Sequence, residues 1–232
     1  MLKEYSFMKN LSARLGFWSS LVSIASFVVF TACFLAIFFV NAPFSWTNLE
    51  DFSLYEANSF TLFKYIAMAS MIVFACSFVV LTVCTEDTVS PEKRPLLRIS
   101  SFFALAFCVT ICINYFVQVT ATRLQLQNGL TDGLAQFTQS FNISAINAIN
   151  MLGWTLFYPL STFFLAFLFD HHKIEKTIKW FCFANALMMM VGLAGYVANH
   201  FLTLALSMNL GLGLTTLGMT IPMAIRFKKH IA

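Results

Sequence analysis

Six uninterrupted apolar runs, each close to the length of a membrane crossing, constrain this chain more than any motif it contains. They cover approximately 17–40, 62–84, 99–122, 145–169, 178–199 and 202–225, and a helix needs roughly 20 apolar residues to cross a bilayer. Such runs lack the two-residue alternation of membrane strands, so helices are the spanning elements. A soluble helical protein would need a polar outer layer. Only 10% of the 232 residues are charged, against about 25% in average usage. The sequence therefore predicts an all-α polytopic membrane protein, with residues 1–232 forming one membrane domain and a bundle of six transmembrane helices.

The first run follows Lys3, Lys9 and Arg14, as a secretory leader would. Leader h-regions span only about 7–15 residues, which favours a retained first helix. Orientation comes from the remaining basic residues. With six crossings, Lys3, Lys9, Arg14, Lys93, Arg94, Arg98, Lys173, Lys176, Lys179, Arg226, Lys228 and Lys229 share one side, and only Lys64 and Arg123 lie on the other. Basic loops stay cytoplasmic, so both termini are expected there. The net charge of +4 then reports topology and gives no reason to expect nucleic acid as a partner.

The polar residues inside the runs carry the functional question. Thr110, Asn114, Gln118, Thr122 and Gln125 recur every three or four residues, a spacing that places them on one helical face. The fourth run repeats the pattern with Ser144, Asn147, Asn150, Trp154, Tyr158 and Ser161. The two runs are antiparallel, which brings the amides to matching depths. Either the stripes are interhelical glue, at about 0.6 kcal/mol per hydrogen bond, or they line a cavity closed by the loops 41–61 and 123–144. In the first of those loops Thr47 or Asn48 can cap a short helix bearing Glu50 and Asp51 in its first turn. The second carries a turn at Asn128-Gly129 and room for a short helix after Asp132. In the last run Ser207, Gly211, Thr215 and Gly218 form a seam of small residues that lets another helix approach closely.

Several chemistries find no support. No Asp, Glu, His, Lys or Arg sits in the middle of a run, which argues against proton coupling. His171, His172, His200 and His230 lie in loops or the tail, so no haem or other cofactor and no metal is expected. The six cysteines lie within or at the ends of runs with no Cys-x-x-Cys, as small packing residues would. No protease or nucleophile signature is present, and no catalytic residue is assigned.

The stretch NYFVQVTATRLQLQNGLTDGL, followed by INMLGWTLFYPLS, resembles small multi-helix membrane proteins of prokaryotes that carry an Asn-Tyr-x-x-Gln helix and a Gly-x-x-Asp/Glu-Gly-Leu loop. The matching positions are Asn114, Tyr115, Gln118, Gly129, Asp132, Gly133 and Leu134, and the resemblance covers about a third of the chain. It implies a prokaryotic inner-membrane location and brings no activity with it.

Three functional expectations follow. The leading one is a protein that binds, senses or passes a small neutral polar molecule or lipid headgroup in an outward-facing cavity between the third and fourth spans, lined by Asn114, Gln118, Asn147, Asn150, Trp154 and Tyr158. Uncharged amides suit an uncharged ligand, since a buried unpaired ion is costly. The second is a lipid-modifying enzyme at the outer face, with Asp132 or Glu56 as base. The third is an accessory subunit that meets other membrane proteins, or a second copy, through Gly211, Thr215 and Gly218.

Overall fold

The computed structural model describes residues 2–42 and 47–231, with side chains from Asn10 onward. Lys3 and Lys9 of the basic N-terminal cluster, and residues 43–46 of the first loop, therefore lie outside the described side chains. Helix makes up 85% of the chain and no strand occurs among the described residues, which establishes the all-α class. Six helices are long and apolar enough to span a membrane. Their residue ranges are α1 (Leu2–Val40), α3 (Leu62–Cys84), α4 (Pro91–Gln127), α5 (Ala145–Ala166), α6 (Lys173–Val197) and α7 (Phe201–Ile231), with a short α2 (Leu49–Asn58) between the first two.

Several helices outrun their apolar stretches. Helix α4 reaches Gln127 instead of ending at 122, α6 starts at Lys173 instead of 178, and α7 continues to Ile231 instead of 225. Hydropathy marks the part of a helix that suits hydrocarbon, while backbone hydrogen bonding carries on into charged turns. The fourth run behaves oppositely. Helix α5 stops at Ala166, and Leu168 and Phe169 stay buried in the following turn, where Phe169 lies 5.2 Å beneath the Arg226 guanidinium.

The helices pack as a closed ring in which α1 touches α3, α3 touches α4, and so on through α5, α6 and α7 back to α1. Aromatic side chains fill its centre. Phe74 and Phe78 from α3, Phe107 from α4, and Trp154 and Tyr158 from α5 meet with ring centroids 4.8–6.3 Å apart. Four of the five are less than 2% exposed, so the middle of the ring is a packed plug.

The two ends of the ring differ. The terminal end carries the start of α1, the end of α7 and the connections 85–90 and 167–172. The distal end carries α2 and the loop 128–144. As expected there, Asn48 caps α2, its side chain accepting from the Asp51 amide at 2.8 Å. The buried Phe52 packs edge-on to Phe141 of the other loop. Gly129 (φ 68°) and Gly133 (φ 72°) make left-handed turns open to glycine at no steric cost, and a 3₁₀ turn follows at Leu134–Phe137.

The small-residue seam of α7 is occupied within the chain. A Cβ added at Gly218 would meet the Phe181 ring at 2.3 Å, and one at Gly211 would meet Met188 at 2.9 Å. Thr215 accepts from Asn185 at 2.8 Å. All three partners belong to α6, so Gly211, Thr215 and Gly218 serve the α6–α7 hairpin. The residues expected to form a contact face for a second chain therefore already carry the close approach of the neighbouring helix.

Candidate functional site

The amide stripes of α4 and α5 meet directly. Asn114 donates to Oδ1 of Asn150 at 3.2 Å and to Oε1 of Gln139 at 2.9 Å. Gln118 donates to the Phe137 carbonyl at 2.7 Å and accepts from the Gln139 amide at 3.0 Å, and Thr122 donates to the same Phe137 carbonyl. Asn147 donates to the Asn142 carbonyl at 3.2 Å, which also receives the Tyr196 hydroxyl at 3.1 Å. Four of the six expected site residues thus clamp the distal loop over the ring and join α4 to α5. Tyr158 turns away toward Thr216 of α7, 2.9 Å off, and Trp154 joins the aromatic plug.

Three spanning helices carry a π turn toward their distal halves: Gln118–Thr122 in α4, Gly153–Phe157 in α5 and Ser207–Gly211 in α7. In α5 the cause is local. Pro159 has no N–H to return to the carbonyl of Thr155, and the backbone opens by one residue just before it. A π turn re-aims side chains within a helix and often borders a functional site. Here the turns deliver Gln118 to the loop and Trp154 to the centre, and they place Met208 and Asn209 beside open space.

That space lies alongside the stripes and not between them. One cavity of about 270 Å³ sits at the distal end between α1, α2 and α3. Its floor is Phe30, Phe34 and Met68, and its rim holds Asn41, Tyr55, Glu56, Lys64, Gln139 and Ser140. A second, of about 230 Å³, lies nearer the plug between α1, α5 and α7, against Met71, Trp154, Met208 and Leu212. Phe30, Phe34, Tyr115 and Gln139 line both, so the two chambers share one wall. Of the expected lining residues, Asn150 and Trp154 face the second chamber; Asn114, Gln118, Asn147 and Tyr158 line neither.

The rim is balanced in charge. Lys64 contacts Glu56 at 2.7 Å and lies 5.2 Å from the centre of the Phe52 ring. Asn41 closes the top of the groove, donating to the Phe60 carbonyl and accepting from its amide. Sequence reasoning missed Phe30, Phe34, Tyr115 and Gln139 as lining residues. The available signal was Lys64, one of only two basic residues on its side of the chain and placed beside an acidic loop.

The terminal end holds charges of another kind. Arg226 donates to Glu175 at 3.0 Å and to the hydroxyl and carbonyl of Thr88 at 2.7 and 3.0 Å, and both charged residues are only 8% exposed. Nearby, Asp170 binds Lys179 at 2.6 Å and Lys93 at 2.5 Å. Their hydrogen bonds, that from Lys179 foremost, hold its carboxyl down at about 2. Among the described residues one cluster has the geometry to hold a metal: the thiols of Cys76, Cys108 and Cys112.

Comparison with known proteins finds no matching family, no similar curated protein and no similar solved structure.

Proposed function

We propose that this chain is a multi-pass protein of a prokaryotic inner membrane, with both termini cytoplasmic, that binds an amphiphile in the groove at its distal, outward end. The orientation rests on the twelve-to-two division of basic residues between the ends of the helices, and the location on the resemblance carried by Asn114, Tyr115, Gln118, Gly129, Asp132, Gly133 and Leu134. The binding reading rests on one observation above the rest: an aromatic groove that shares Phe30, Phe34, Tyr115 and Gln139 with a second apolar chamber, beneath a polar rim in which Glu56 and Lys64 cancel. Each chamber alone falls short of the about 300–1,000 Å³ usual for ligand sites, and the proposed amphiphile occupies both by displacing the side chains they share. A headgroup that is neutral or zwitterionic meets the rim without leaving an unpaired charge. Its chain would follow Phe30 and Phe34 toward Met208.

Native mass spectrometry of the protein released from nanodiscs containing zwitterionic and anionic lipids tests this. The wild type retains a zwitterionic lipid. Met208→Trp, which fills the deeper chamber, lowers retention about tenfold, or ~1.4 kcal/mol. Equal retention of all lipids by both proteins excludes the reading. A fluorescent protein fused after Ala232 tests the topology, since it must report from the cytoplasm.

Glu56 keeps a second reading open. Its carboxylate lines the groove at headgroup level, so an enzyme acting on that lipid would have an acid in place. Asp132, the other expected base, is exposed and lines neither chamber. Glu56→Gln abolishing turnover of a bound lipid, with retention unchanged, would favour the enzyme.

A further inference from the structure

Away from the groove, three thiols converge on the outside of the ring. Cys76 lies near the middle of α3, and Cys108 and Cys112 stand one helical turn apart near the middle of α4. The Cys108 sulfur is 3.8 Å from that of Cys76 and 3.9 Å from that of Cys112, and all three lie within 4.8 Å of one another. The other three cysteines, Cys33, Cys84 and Cys182, are buried packing residues, whereas Cys76 is exposed and its two partners half-buried. On the proposed topology this triangle faces hydrocarbon at mid-depth.

We propose that Cys76, Cys108 and Cys112 form a three-thiol site for an uncharged trivalent metalloid hydroxide, arsenous acid or its antimony counterpart. Size is the first argument. The centre of the sulfur triangle lies about 2.2–2.5 Å from each sulfur, close to the ~2.3 Å of a thiolate–metal bond, and a pyramidal centre just above that plane draws the three slightly together. Coordination number is the second. Zinc takes four donors in structural sites, while the lone pair of a trivalent metalloid occupies the fourth position and three sulfurs complete its shell.

Charge is the third argument. A cation has to cross hydrocarbon to reach this face, and the thiolates that bind it are unpaired charges there until it arrives. Arsenous acid is neutral, and so is its product. Three S–H and three As–O bonds break, and three As–S and three O–H bonds form. Each thiol proton leaves with a hydroxide as water, and arsenic stays trivalent throughout. The product ties α3 to α4, the helices that bring Lys64 and Tyr115 to the groove.

The test uses the full-length protein, reduced, in nanodiscs, with sodium arsenite as the probe. Intact mass is expected to rise by one arsenic less three hydrogens, and X-ray absorption to show three sulfurs around it. Cys76→Ser, Cys108→Ser and Cys112→Ser should each weaken binding tenfold or more, while Cys33→Ala leaves it unchanged. Absorption on the wild type decides the matter even where a variant folds poorly. Two sulfurs around arsenic, or binding indifferent to Cys76→Ser, overturns the assignment. So does uptake of silver(I) without uptake of arsenite, which would make the triangle a cation site.

Discussion

The distal and terminal ends of this ring are built from opposite chemistry. At the distal end, neutral amides and backbone carbonyls hold a loop over open space, with a single ion pair at the rim. At the terminal end, Arg226, Glu175, Asp170, Lys93 and Lys179 pin two connections and the end of α7 together without a comparable chamber among the cavities described. Neutral hydrogen bonds are worth about 0.5–1.5 kcal/mol net, so a lid secured by them can open locally. Buried charges tolerate no such opening, because a separated ion is left desolvated. The contrast fits the proposed access at one end and closure at the other.

Arg226→Ala should break that contrast most severely. Glu175 would keep its burial and lose its counter-charge, a change that costs about 3–5 kcal/mol in such pairs. Thermal unfolding in detergent is the measurement, with a large fall in Tm expected. The double variant Arg226→Met, Glu175→Met removes both charges at once and should recover most of the loss. A double variant as unstable as the single one would show that Arg226 acts through Thr88 and Phe169 and not through charge.

Gln118→Leu probes the other end. It removes both side-chain bonds to the loop and leaves the Gln139 amide without that partner, at about 1–3 kcal/mol. The effect should be local. Hydrogen exchange should quicken across 134–139 while α6 and α7 keep their protection, and global Tm should fall less than in Arg226→Ala. Uniform loss of protection would mean that the loop and the ring unfold as one unit, and the proposed difference between the ends would disappear.

Much of this architecture is legible in the chain through hydropathy: six apolar runs, six helices long and apolar enough to span a membrane. The common face within each amide stripe and the matching depth of the two are legible too, from helical periodicity and antiparallel direction; that the stripes meet, as Asn114 and Asn150 do, depends on how the helices are rotated and is not. The groove is not. In a run such as α1, apolar on every side, nothing distinguishes Phe30 and Phe34, which line it, from Phe38 and Phe39, which are exposed. The Arg226–Glu175 pair joins residues 51 positions apart, beyond the reach of any local pattern. The thiol triangle was half visible, in the one-turn spacing of Cys108 and Cys112; its third corner depends on the register of α3 against α4.

Asp170 gives the smallest and most directional effect. Its carboxyl is held at about 2 by Lys179 and Lys93, whereas an unfolded Asp titrates near ~3.9. A depressed carboxyl contributes stability that is complete above the unfolded value and lost as pH falls through the folded one. The window is therefore about pH 4 down to about 2. Because the side chain is 40% exposed, solvent screens the pair and the step should be a fraction of a kcal/mol, about the size of other surface ion pairs. Stability measured at falling pH should show this step in the wild type and lack it in Asp170→Asn, with the two curves converging near pH ~2. Raising the salt concentration should shrink the same step, since screening weakens exposed pairs first. Salt should leave the Arg226→Ala defect nearly untouched. Equal salt sensitivity at both sites would mean that Arg226 and Glu175 are as wet as Asp170, and that the terminal end is closed by packing alone.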